Sequence, residues 1–186
     1  MFSKKELKDL AISTLAVALI FSSFNIEILP LTILVVILVF ISHELAHKFM
    51  AQRYGFFAEY KKWNIGLFFG LLMSLLGGFA FIAPGAVYIT PFNKKKFAFR
   101  VVRTTKEQYG KISLAGPLTN IVIGISALII GFFYPYEILS LITRISLFLS
   151  VFNLIPFPPL DGFKVFSWNR RIWAFAFSIS LIGLFF

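Results

Sequence analysis

The sequence predicts an all-α, polytopic membrane protein with five to six transmembrane helices, a re-entrant segment and a short β element on the cytoplasmic side. Three observations carry that expectation. Hydrophobic residues make up 59% of the 186-residue chain and charged residues 14%, against about 45–50% and about 25% in ordinary soluble domains. Mean hydropathy is +0.87, more apolar surface than a soluble fold of this length can bury. Finally, all but one of the 18 basic residues fall at or near one face of the implied bundle, the exception being Arg144, which is the asymmetry of cytoplasmic loops.

Five apolar spans run from Leu7 to Phe24, Pro30 to Gln52, Ile112 to Tyr134, Ile138 to Ile155 and Trp168 to Phe186. A helix of about 20 residues crosses a hydrocarbon core about 30 Å thick. Lys4, Lys5 and Lys8 precede the first span as in a signal peptide, but no small-x-small cleavage site follows, so it reads as an uncleaved helix. The last span crosses if Arg170 and Arg171 snorkel, with Trp168 and Trp173 at the interface.

A sixth apolar stretch, Ile65 to Ile89, is broken by Gly77-Gly78 and Pro84-Gly85. If it crossed, Lys61 and Lys62 would lie opposite the basic run from Lys94 to Lys111, against the positive-inside tendency. A segment that enters and returns on one side removes the conflict and implies a polar cavity, since irregular backbone at membrane depth must be buried in protein or face water. The opposite-side loops then hold only Glu27 and Glu137 as charged residues. The run Lys96-Phe-Ala-Phe-Arg-Val-Val-Arg103 alternates like a strand or hairpin on the membrane face. The basic residues are spread over several segments, which argues against a nucleic-acid partner despite the net charge of +10. No internal repeat or low-complexity linker divides the chain, so residues 1–186 read as one domain.

The two histidines of the chain, His43 and His47, flank Glu44 in His43-Glu-Leu-Ala-His47. Residues four apart share a helix face, so the two imidazoles can bind one Zn²⁺ while Glu44 serves a water as general base. Histidines hydrogen-bonded within a bundle are the plainer alternative, but ionisable groups within a membrane are costly and usually functional. His43 lies about ten residues before the end of its span, about 15 Å below the cytoplasmic boundary. With no cysteine in the chain, disulfides and thiolate ligands are excluded, and a third ligand must be a carboxylate. Glu27 and Glu137 lie on the wrong side; Glu6, Asp9, Glu59 and Glu107 sit among basic residues. Asp161 follows Asn153-Leu-Ile-Pro-Phe-Pro-Pro-Leu, where three prolines break the helix and Gly162 lets the chain turn. An ordinary acid in a cytoplasmic turn remains the alternative for it.

These residues resemble the site-2 protease family of intramembrane zinc metalloproteases. His43-Glu-Leu-Ala-His47, Gly116-Pro-Leu-Thr-Asn120 and Asn153-Leu-Ile-Pro-Phe-Pro-Pro-Leu-Asp-Gly162 are similar to its three motifs, in its order, over roughly Pro30 to Lys164. The nearest form is prokaryotic, of the archaeal type without a PDZ or CBS domain. The resemblance implies that one Zn²⁺ is held by His43, His47 and Asp161, that Glu44 is catalytic, and that Asn153 binds substrate or the oxyanion. It further implies that Gly77 and Gly78 belong to a strand that pairs with an unwound substrate, and that the partners are transmembrane or membrane-anchored proteins in the cell membrane. The long insert from Ile65 to Lys111 departs from the commoner form. Gly116 and Asn120 suit helix packing as well as substrate binding. Arg144 suits snorkelling to the outer face or an ion pair with Glu137. A zinc-binding scaffold without activity and a metal transporter are the rival functions; the oligomeric state is not legible.

Overall fold

The structure, a computed structural model, describes residues 2–76, 84–90 and 105–186. Gly77, Gly78 and the run Lys96–Arg103 lie outside them. Helices dominate: α1 (Lys4–Phe21), α2 (Leu29–Arg53), α3 (Asn64–Leu75), α4 (Lys106–Phe133), α5 (Glu137–Asn153), α6 (Asp161–Trp168) and α7 (Arg170–Gly183). Strands β1 (Phe57–Lys62) and β2 (Gly85–Thr90) pair antiparallel, Phe57 opposite Thr90 and Lys62 opposite Gly85.

Helix ends follow local chemistry. Ser3 caps α1 by accepting from the Glu6 amide. The helix stops at Ser22, before Ser23 and Phe24 adopt positive φ, so the first apolar span ends earlier than its composition suggests. α4 starts six residues before the expected Ile112, because Thr105 and Gln108 form a reciprocal capping box. The last span, expected from Trp168, starts two residues later as α7: Asn169 breaks the chain and its side chain accepts from the Arg171 and Ile172 amides, separating α6 from α7. Among the described residues two helices, α2 and α4, are long and apolar enough to cross a membrane by themselves. The stretch Ile65–Ile89 starts as a helix and ends as strand β2. The β element thus joins Phe57–Lys62 to the end of that stretch.

α1, α2 and α5 share the largest core, where Val17, Val36, Val39, Phe40 and Leu149 meet Tyr60 of β1. Buried hydroxyls fasten the helices where backbone groups lack water: Ser150 Oγ donates to the Pro117 carbonyl at 3.2 Å and lies 2.8 Å from Ser180 Oγ. α5 crosses α4 so closely that a Cβ at Gly124 would stand 2.7 Å from Leu147.

The small sheet is held from one side. Glu6 of α1 accepts from the Tyr60 amide at 3.0 Å and from Lys48 Nζ, at 2.6 Å through each oxygen. Glu6 and Lys48 are both buried. Tyr60 Oη donates to Ser13 Oγ at 2.8 Å. Burial, with the nearby Glu44 charge second, pushes the Tyr60 phenol well above its ordinary value, so it stays a donor. α1 therefore covers the outer edge of β1, and among the described residues nothing pairs with the outer edge of β2.

Candidate metal centre

α2 does not run as a regular helix to its histidines. Residues Ile37–Ile41 form a widened π-type turn immediately before Ser42, a feature that often marks a functional position. From Ser42 the helix is regular, so His43 and His47 stack one above the other with Nε2 atoms 3.0 Å apart. Both rings are buried.

Asp161 reaches them from the far end of the chain. α5 ends at Asn153, and Pro156, Pro158 and Pro159 prevent it from continuing. The chain then folds back so tightly that a Cβ at Gly162 would stand 2.1 Å from the Leu154 carbonyl oxygen. That close approach, open only to glycine, returns Asp161 to the bundle at the first residue of α6. Its Oδ2 lies 2.9 Å from His47 Nε2 and 3.6 Å from His43 Nε2. Burial alone would raise the Asp161 carboxyl, but His47 and His43 beside it hold it well below the usual carboxylate range.

The three donor atoms fit a zinc ion. Ligands at about 2.0–2.1 Å in a tetrahedron stand about 3.3–3.4 Å from one another, and the observed separations of 2.9, 3.0 and 3.6 Å bracket that value. The ring tautomers agree. His47 Nδ1 donates to the Ile112 carbonyl at 2.7 Å, which leaves Nε2 as the free lone pair. His43 Nδ1 lies 3.1 Å from the Asn120 amide, and Asn120 Oδ1 is buried without a partner among the described residues. With His43 Nε2 committed to a metal, Nδ1 carries the proton; a half-turn of the amide lets Oδ1 accept it.

Glu44 is buried, and its Oε2 has no partner among the described residues. A buried carboxylate oxygen left unpaired is costly, and a water at the metal would satisfy it. Gly116 completes the wall: a Cβ there would stand 2.3 Å from His47 Nε2 and 2.6 Å from His43 Nε2. α4 can pass the ligand edge only as glycine.

A cavity of about 300 Å³ opens beside this centre, lined by Glu44, Asn153, Trp63, Lys61, Lys164 and the length of β2. Asn153 lies in its wall, but its side chain donates to the Leu149 carbonyl at 2.9 Å. Asn120 faces His43 rather than the cavity. Gly77 and Gly78 fall outside the described residues; β2 lines the cavity. Sequence reasoning missed Ile112, Gly116 as a ligand-side contact, and Lys164. Lys164 had a signal: three residues after Asp161 on a helix, it shares that face.

Two stacked histidines, a distant aspartate and an unpaired glutamate define a zinc metallohydrolase centre. The comparisons with known proteins give the class more closely. The chain is 42% identical over 189 aligned residues to the "Putative zinc metalloprotease MJ0611" of Methanocaldococcus jannaschii, covering 98% of this chain and 93% of that protein. It is 28% identical over 166 residues to the "Putative zinc metalloprotease YwhC" of Bacillus subtilis, covering 78% and 71%. It is 30% identical over 137 residues to the "Zinc metalloprotease MJ0392" of Methanocaldococcus jannaschii, covering 69% of this chain and 32% of that protein. No family model matches the chain, and no solved structure matches it. The chain belongs to this archaeal and bacterial family of zinc metalloproteases, in keeping with the site-2 protease likeness of its motifs.

Proposed function

We propose that this metalloprotease works inside the membrane, hydrolysing peptide bonds of transmembrane or membrane-anchored proteins, as a multi-pass protein of the cell membrane whose metal centre lies toward the cytoplasmic side. The observation that carries the proposal is the position of the centre along α2. His43 stands 14 residues after Leu29 and ten before Arg53, so about 21 Å and about 15 Å from the two ends of a 25-residue apolar helix. A substrate reaches such a centre from the bilayer.

His43, His47 and Asp161 would hold the ion, and Zn²⁺ when bound supplies Lewis acidity and a water that ionises near neutral pH. Glu44 accepts the proton of the attacking water and delivers it to the departing amine. Asn153, in the cavity wall, can turn its amide from Leu149 toward the developing oxyanion. The substrate must unwind to expose its scissile bond, and its freed backbone groups need partners in a place without water. The outer edge of β2, unpaired among the described residues, offers them along the cavity.

A zinc-binding scaffold needs ligands but no base, and the unpaired Glu44 beside them argues against it. A metal transporter needs donors along a path through both halves of the bilayer; among the described residues a single candidate cluster occurs. No nucleic-acid role is proposed. The test is reconstitution in liposomes with a transmembrane substrate. Wild type cuts it, a chelator stops cleavage, and Glu44→Gln lowers the rate at least 100-fold while retaining zinc. Equal cleavage by Glu44→Gln refutes the mechanism; cleavage of soluble peptides with no action on the reconstituted substrate refutes the membrane part.

A further inference from the structure

Ser113 stands in the wall of the metal cavity. It follows Ile112, whose carbonyl takes the His47 Nδ1 proton. On α4 it precedes Gly116 by three residues and Asn120 by seven, the spacing of one helix face. Cβ positions three residues apart on a helix lie about 5–6 Å from one another, and a Cβ at Gly116 would stand 2.3 Å from His47 Nε2. Ser113 therefore sits one turn from the ligand edge. Its neighbour Ile112 packs with Ala58 of β1, and Val87 and Ile89 of β2 pack against that cluster. Ser113 is thus placed where α4, the ligand histidines and β2 converge.

Among the described residues that line this cavity, four polar side chains are buried: His43, Glu44, His47 and Ser113. The first three have their work at the metal. Ser113 is 3% exposed, and among the described residues its hydroxyl makes no hydrogen bond. Elsewhere in the bundle such hydroxyls are satisfied by their own helix. Thr14, Thr119, Thr143 and Ser180 each donate to the carbonyl four residues back, at 2.8–2.9 Å. A buried hydroxyl left unpaired costs free energy, so a partner that enters the cavity relieves the cost. Whatever the substrate sequence, the group that must come closest to the ligand edge is the carbonyl of the scissile bond.

We propose that Ser113 is a further catalytic residue, whose hydroxyl donates to the oxygen of the scissile carbonyl. When water adds to the carbonyl carbon, Glu44 takes a proton from that water and the carbonyl π electrons move onto the oxygen. The hydrogen bond from Ser113 Oγ strengthens as that charge grows. Asn153 must leave the Leu149 carbonyl to serve the same oxygen, whereas Ser113 gives up no partner among the described residues. The assignment deepens the function proposed above: it rests on the role given there to Glu44, but not on the membrane placement.

The test uses zinc-loaded protein, in detergent with a soluble peptide and in liposomes with a transmembrane substrate. Loss of one oxyanion donor lowers kcat about 100–1,000-fold. With Asn153 as a second donor, Ser113→Ala should lower kcat at least tenfold on whichever substrate is cut, with KM and zinc per chain within about twofold of wild type. A second readout needs no turnover. A phosphinic peptide, whose tetrahedral anion resembles the charged adduct, should bind Ser113→Ala at least tenfold more weakly than wild type by calorimetry. Unchanged affinity for the phosphinic peptide, a rise in KM without loss of kcat, or a loss of rate that follows loss of zinc overturns the proposal. If wild type cuts the peptide and spares the transmembrane substrate, the membrane reading fails while the kcat ratio still decides Ser113. If wild type cuts neither, the proposed function fails, and the phosphinic peptide still decides Ser113.

Discussion

Glu44, the two histidines and Asp161 are few enough to be read as separate parts, but the residues behind them decide whether they work. Gly116→Ala puts a methyl carbon against both ligand nitrogens, so the metal should be lost from a protein that still folds, measured as zinc per chain after gel filtration. Asn120→Ala removes the group facing His43 Nδ1; partners of this kind are worth about 10–100-fold in metal affinity. Asn120→Asp, which keeps an acceptor, should recover most of it, and equal affinities for both variants would remove Asn120 from the ligand support. Part of this was legible beforehand. Spacing and residue type placed His43, Glu44 and His47 together, and the Pro-rich break singled out Asp161. The place of Asn120 was not legible, because a buried amide that steadies a ligand and one that meets a substrate leave the same letter in a sequence.

α1 is the element with the least obvious work. It adds no residue to the metal centre, yet Glu6 joins it both to Lys48, the neighbour of His47, and to the backbone of β1. Breaking a buried ion pair by removing one partner costs about 3–5 kcal/mol, while replacing both with apolar groups is often neutral. Glu6→Ala should therefore lower the melting temperature of the detergent-solubilised protein by several degrees, and Glu6→Leu with Lys48→Met should restore much of it. A Glu6→Ala protein as stable as wild type would show that the pair does not hold α1 in place. From sequence alone Glu6 and Asp9 passed as solvated acids among lysines. Their burial depends on a strand some fifty residues away, and no local periodicity reports such a contact. The β element was anticipated in kind, and the places expected for it, Gly77-Gly78 and Lys96–Arg103, lie outside the described residues; β1 and β2 pair across an intervening helix, and pairing partners at that separation leave no local mark.

For the molecule as a whole, composition and the placement of basic residues gave the membrane reading, while among the described residues only α2 and α4 satisfy length and hydropathy unaided. α1, α5 and α7 have 18, 17 and 14 residues, and in the multi-pass arrangement proposed above each would depend on its neighbours to reach across. The expected outcome is full retention in the membrane pellet after alkaline carbonate washing. Cysteines introduced at Glu27 and Glu137 should react with impermeant maleimide from outside intact cells, and one introduced at Lys164 should react only after permeabilisation. Labelling of the Lys164 site from outside would invert the topology.

The widened turn at Ile37–Ile41 has a consequence for how such a chain can change over time. A π-type turn holds one residue more than a regular turn, and each residue turns a helix by about 100°. The apolar half of α2, from Leu29 to Val36, and the metal-binding half from Ser42 onward are thus offset in phase. The face of Leu29–Val36 that packs on α1 and α5 therefore need not lie in line with the face that carries His43 and His47 toward Asp161. The turn works as a joint between a segment answerable to packing and one answerable to chemistry, so the two can drift at different rates within one helix.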